Sequence, residues 1–128
     1  KEIQINGVVV GEVWFSSGQS NMDWLAGKSM CRDMANELAR SKNEVPIREF
    51  SVDSGSSLYP QPRTTSQDGW KRSRQAASFS ALSLAFAWDL HENLEMPIGI
   101  IRSSHGATPI ETWTAYEGFG RRGGSGRT

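Results

Sequence analysis

The 128-residue sequence holds few of the side chains that declare a function by themselves. Its one cysteine, Cys31, cannot form a disulfide within the chain. With no cluster of further ligands around it, it reads as a small buried hydrophobe, not a nucleophile or metal ligand. Net charge is also missing: 14 Lys and Arg balance 14 Asp and Glu, so no overall field draws in nucleic acid, an acidic polymer or an anionic membrane. No apolar run approaches the about 18 residues of a membrane span. Lys1-Glu2 is not the charged start and greasy core of an export signal, and there is no Asn-x-Ser/Thr acceptor. With Lys in first place the sequence reads as a processed or trimmed product, so its compartment stays open. The totals fit one domain with a core of useful size.

What is present is an alternation of strand and helix patterns. Ile3 and Ile5 suggest a short strand turned at Asn6-Gly7, and Val8 to Phe15 a buried one. Met30, Met34 and Leu38, four apart between charges, predict an amphipathic helix over 29–41, stopped before Pro46. Ile47 to Val52 is a second strand, and 53–69, rich in Pro, Gly and hydroxyls with no period, a long loop. From Ser78, Phe79, Leu82, Phe86, Leu90 and Leu94 recur at helical spacing, with Leu84 and Trp88 widening the apolar face. Pro97 ends that helix, and Ile98 to Ile101 forms a strand. Thr108-Pro109-Ile110-Glu111 then has the form of a capping box with proline in the first turn. Residues 120–128, Gly-rich and basic, read as a tail or linker. The order predicts an α/β fold with a parallel sheet whose ligands sit beyond the carboxyl ends of the strands.

Two turns fall on that edge. In GEVWFSSGQSNMDW (11–24), Gly18 permits a sharp bend and Ser20 stands where strand gives way to helical turn, the setting in which a hydroxyl is exposed for attack. The N–H groups of Ser20 and of Gly106, in the second turn, are candidate donors to the oxygen that becomes negative. Gln19 and Asn21 flank the hydroxyl and brace the turn. Trp24 either lines a sugar or packs in the core, and His105 lies beside the site. Gly27-Lys28-Ser29 lacks the upstream glycine and strand of a phosphate loop, and Asp89 and His91, two apart on a helix, point away from each other. No metal ligand set and no organic cofactor are expected.

GEVWFSSGQSNMDW resembles the nucleophile block of the sialate O-acetylesterase family, a carbohydrate-esterase branch of the SGNH hydrolases, and PIGIIRSSHGATPIETW (97–113) is similar to the family's second block. IREFSV, Trp70 and SFSALSLAFAWDLHENL fall between them in the family's order, so the resemblance spans about residues 5 to 119. It implies a three-layer α/β/α, flavodoxin-like SGNH fold, incomplete here, with 1–119 as its amino-terminal part. It also implies Ser20 as nucleophile, Gly106 at the oxyanion, and Gln19, Asn21, Trp24 and His105 on the substrate side. The implied partner is an acetylated carbohydrate, sialic acid or polysaccharide, and an extracytoplasmic setting. Where the family has Trp-Gly-Gly-Thr, this chain reads His105-Gly106-Ala107-Thr108. The family's Asn of the oxyanion hole and its Asp and His come later than residue 128. Two other readings stand beside the esterase: a non-catalytic carbohydrate-binding remnant, and an anion- or nucleotide-binding α/β module using the same N–H groups.

Overall fold

In a computed structural model, residues 2–55, 57, 59–115 and 118 are described. The expected tail at 120–128 lies outside them. Four strands form one sheet in the order β1-β4-β2-β3: β1 Glu12–Gly18, β2 Ile47–Ser51, β3 Trp70–Arg72 and β4 Ile98–Ser104. β4 pairs in parallel with β1 and β2, as a strand–helix–strand alternation requires. β3, hidden at the end of the expected loop, pairs antiparallel with β2 and makes the sheet mixed. Its three residues are too few to carry a readable alternation.

The period-2 pattern assigns the two faces. Ile47 and Glu49 of β2, with Ile98 and Ile100 of β4, turn inward and are buried. There they meet Ala35 and Leu38 of helix α2 (Arg32–Arg40) and Leu84 and Ala87 of helix α3 (Ala81–Leu94), with Ala26, Ala76 and Phe79 filling between. Ser80 caps α3, its side chain accepting from the Ser83 N–H at 3.3 Å, and the helix ends at Glu95 in a left-handed conformation (φ 53°) just before Pro97. The opposite sheet face presents Val13, Phe15 and Trp70 to solvent and carries no helix among the described residues.

Several expectations change in detail. Residues 2–11 form no strand, so the strand expected from Val8 begins at Glu12. Met30 lies outside α2 and is fully exposed. On α3, Leu82 and Phe86 are about half exposed, and Ala81, Ser83, Leu84 and Ala87 form the buried side. The capping box does not form either. Thr108 donates its hydroxyl to the His105 carbonyl and accepts from Trp113 Nε1, both at 2.8 Å, and only a short 3-10 turn, Ile110–Trp113, follows. The 53–69 loop is pinched at its base, where Asp53 N–H reaches the Thr65 carbonyl at 2.9 Å and Asp53 Oδ1 accepts from the Gln67 N–H at 3.0 Å.

Candidate active site

Both turns emerge at the carboxyl ends of neighbouring parallel strands, where Gly18 pairs with Ser104. Gly18 adopts φ 146°, and a Cβ there would sit 2.9 Å from Met22 Cγ, so only glycine fits. The bend hands over to helix α1, Ser20–Asp23, with Ser20 as its exposed first residue. The Met22 N–H closes the turn on the Gln19 carbonyl at 2.9 Å, and the His105 N–H donates to the Gly18 carbonyl at 3.1 Å, joining the two loops. A Cβ built on Gly106 would lie 3.8 Å from Ser20 Cα, 3.9 Å from Ser20 Cβ and 3.6 Å from Asp23 Oδ2. Ser20 and Gly106 are therefore brought together across one short gap. After α1 the chain is stitched to the start of α3, with Ala81 N–H on the Trp24 carbonyl at 2.7 Å and Ala26 N–H on the Phe79 carbonyl at 2.8 Å.

Beneath the turns runs a line of charges. Asp23 Oδ1 accepts from the Ser104 hydroxyl and lies 3.4 Å from Arg102 Nη1. Arg102 Nη2 donates to Ser51 Oγ at 2.8 Å. Its Nε is 3.3 Å from Oε1 of the fully buried Glu49, but neither atom is aligned for a hydrogen bond, so that contact is Coulombic. Glu49 also accepts from the Ser80 N–H at 2.9 Å and stands 3.8 Å from Lys71 Nζ. Burial pushes the Glu49 carboxyl above the ordinary carboxylate range, against the Ser80 N–H, Arg102 and Lys71, which pull it down.

The other expected residues surround this centre. Gln19 closes the turn by its carbonyl and makes no side-chain cap, and Asn21 is exposed. Trp24 is 59% exposed with its Nε1 on the Lys28 carbonyl at 3.0 Å, which removes the core alternative. His105 is exposed, its Nδ1 3.3 Å from Ser54 Oγ at the root of the long loop. Cys31 is half-buried against the core. His91 Nδ1 turns to the Met96 carbonyl at 2.8 Å, away from Asp89. Among the described residues no group of His, Cys, Asp and Glu converges on a metal position, and no helix is long and apolar enough to cross a membrane. A hollow of about 450 Å³, lined by Ile5, Val8, Trp70 and Gly99 among others, opens at the other end of the strands and holds none of the expected site residues.

Sequence reasoning missed Asp23, Arg102, Glu49 and Ser104. For three of them the signal was strand phase: Glu49 shares the face of Ile47, and Arg102 and Ser104 that of Ile98 and Ile100, so polar and charged groups were due on the covered side; Asp23, in α1, had no such signal.

A mixed α/β sheet flanked by helices, with a serine-bearing turn beyond the carboxyl end of β1, defines an SGNH-like hydrolase fold. The chain is similar to a carbohydrate acetylesterase from Xanthomonas citri, with a TM-score of 0.74 and 32% identity over 88% of this chain and 26% of that one. It is also similar to sialate O-acetylesterases: 29% identical to that of Rattus norvegicus over 124 residues, 30% to that of Mus musculus over 121 and 28% to that of Homo sapiens over 121. Each of these matches spans 88% of this chain, but only 22% of the rat and mouse proteins and 23% of the human one. No family model matches the sequence.

Proposed function

We propose that this chain carries the nucleophile side of a serine esterase that removes O-acetyl groups from carbohydrate, sialic acid or an acetylated polysaccharide. The observation that supports this most is the approach of Gly106 to Ser20 at the rim of two parallel strands. The names of the similar proteins supply the acetyl and sugar chemistry. In this reading, residues 1–119 are the amino-terminal part of the esterase domain.

Ser20 Oγ attacks the acetyl carbonyl carbon, and its proton passes to a base contributed by polypeptide outside these 128 residues. The carbonyl π pair moves onto oxygen, where the N–H groups of Ser20 and Gly106 donate to it; each such donor is worth about a hundred- to a thousandfold in rate. Collapse breaks the bond to the sugar oxygen, which takes the proton and leaves acetyl-Ser20. Water then attacks that ester, and acetate departs with the serine hydroxyl restored. Trp24 and His105 face the sugar, and Gln19 and Asn21 flank the nucleophile.

A fluorophosphonate that traps activated serines tests the reading. Without the base, the Ser20 and Gly106 amides can still stabilise the negatively charged oxygen of the adduct as it forms, so slow labelling of this chain is expected. Mass mapping should place the adduct on the peptide holding Ser20, and Ser20→Ala should abolish it while the thermal midpoint is kept. Labelling elsewhere, or none, sinks the proposal. The exposure of Trp24 favours a second reading, a sugar-binding surface, whose mark is carbohydrate binding that survives Ser20→Ala.

A further inference from the structure

We propose that Asp23 is a positioning residue that clasps the Ser20 turn to the Gly106 turn. The inference rests on the esterase reading for its purpose, but not for its geometry. Asp23 is the last residue of α1, three positions after Ser20, so a tether on its carboxylate fixes the whole of that single helical turn. Both of its identified partners come from β4. The Ser104 hydroxyl donates to Oδ1 and the Arg102 guanidinium lies 3.4 Å away, while Oδ2 faces the position a Cβ would take on Gly106, at 3.6 Å. One carboxylate thus touches the strand end that leads into the oxyanion turn and borders the gap between the two loops.

Arg102 is itself held, which makes the clasp stiff. Only 12% of its side chain is exposed, and it is secured by Ser51 and by the charge of the sheet interior at Glu49. A surface ion pair would contribute little. Here the cation is fixed in place before Asp23 meets it, so less side-chain freedom is lost on pairing. The arrangement sets the spacing between a hydroxyl and an amide that must act on one carbonyl, and misplacement of about 1 Å in such a pair can cost about a hundredfold in rate. Asp23 moves no proton in this scheme.

Amide hydrogen exchange on the full 128-residue chain tests the clasp without requiring activity. The reporters are the Met22 N–H, which closes the Ser20 turn, and the His105 N–H, which crosses between the loops. Asp23→Ala should speed both by about tenfold, as loss of hydrogen bonds to a charged group predicts, while Ile98 and Ile100 in the core change much less. Ser104→Ala should move the same two amides in the same direction by a smaller factor. It decides the matter if Asp23→Ala does not fold. Unchanged reporters, or reporters that quicken only in step with Ile98 and Ile100, would overturn the clasp. Fluorophosphonate labelling at Ser20 is measured alongside and should slow by about tenfold in Asp23→Ala, in line with the exchange. If the unmodified chain is not labelled at Ser20, the esterase reading fails, and exchange alone still decides the clasp.

Discussion

Gly18 and Met22 occupy one space: the Cβ that any other residue would place at 18 would stand 2.9 Å from Met22 Cγ. The bend before the serine is therefore set by contact as well as by the backbone angle of 146°. Gly18→Ala should lower stability by more than about 1 kcal/mol, the loss expected where alanine cannot adopt the native angle. It should also remove phosphonate reactivity at Ser20. Thermal unfolding and mass mapping check the pair; an unchanged midpoint with normal labelling would show that the turn tolerates a side chain.

Ala107 runs the opposite experiment. It takes φ 61° in the second turn, where the resembling family has glycine. An L-residue in the left-handed region costs about 1–2 kcal/mol, partly offset by the greater freedom that glycine loses on folding. Ala107→Gly is expected to raise stability by about 0.5–1 kcal/mol. Chemical denaturation measures it, and a decrease would mean that the alanine methyl makes a contact worth more than the backbone strain.

Glu49 should give stability an acid-side signature. Burial raises its folded pKa, so the folded chain binds this proton more tightly than the unfolded chain does. The group's contribution is then full below the unfolded carboxylate pKa and is lost as pH rises through the higher folded value. Glu49→Gln removes the titration, so the stability difference between the parent and this variant should shift against the parent as pH climbs out of the carboxylate range. Denaturant titrations at a series of pH values read that difference. A parent advantage that grows with pH would mean that attraction to Arg102 and Lys71 outweighs burial.

The two sides of α3 should differ in cost. Leu84 is fully buried, and Leu84→Ala should cost about 2–5 kcal/mol. Phe86 is 43% exposed and meets Trp14 edge-on with centroids 5.2 Å apart, so Phe86→Ala should cost about 1–2 kcal/mol. Equal losses in thermal or denaturant unfolding would show that the outer side of the helix is covered in solution.

Much of this was legible because long apolar patterns survive the loss of context. Ile47, Ile98 and Ile100 alternate inward as β-branched strands should, and the helix read from Ser78 to its stop at Pro97 is α3, which begins three residues later at Ala81. The meeting of the Ser20 and Gly106 turns followed from both lying at carboxyl ends of parallel strands. What escaped was decided by partners distant in sequence. Trp70–Arg72 is a strand only because β2 offers it an edge, and Leu82 and Phe86 are spaced for burial but stay about half exposed, Phe86 with Trp14 against its ring. Thr108 has the sequence of a cap, yet its hydroxyl is taken by His105 and Trp113. Asp23, Arg102 and Glu49 lie up to 79 positions apart, beyond any local window.

The outermost position of β1 also bears on how the polypeptide behaves in a tube. Among the described residues β1 has a neighbouring strand on one side only; the other side offers a row of amides and carbonyls, with Val13 at 60% and Phe15 at 68% exposure, and no proline or lysine interrupts Glu12–Gly18. Such a border is a template for sideways stacking of like molecules. Concentration, more than temperature, is therefore expected to limit how long a preparation stays clear.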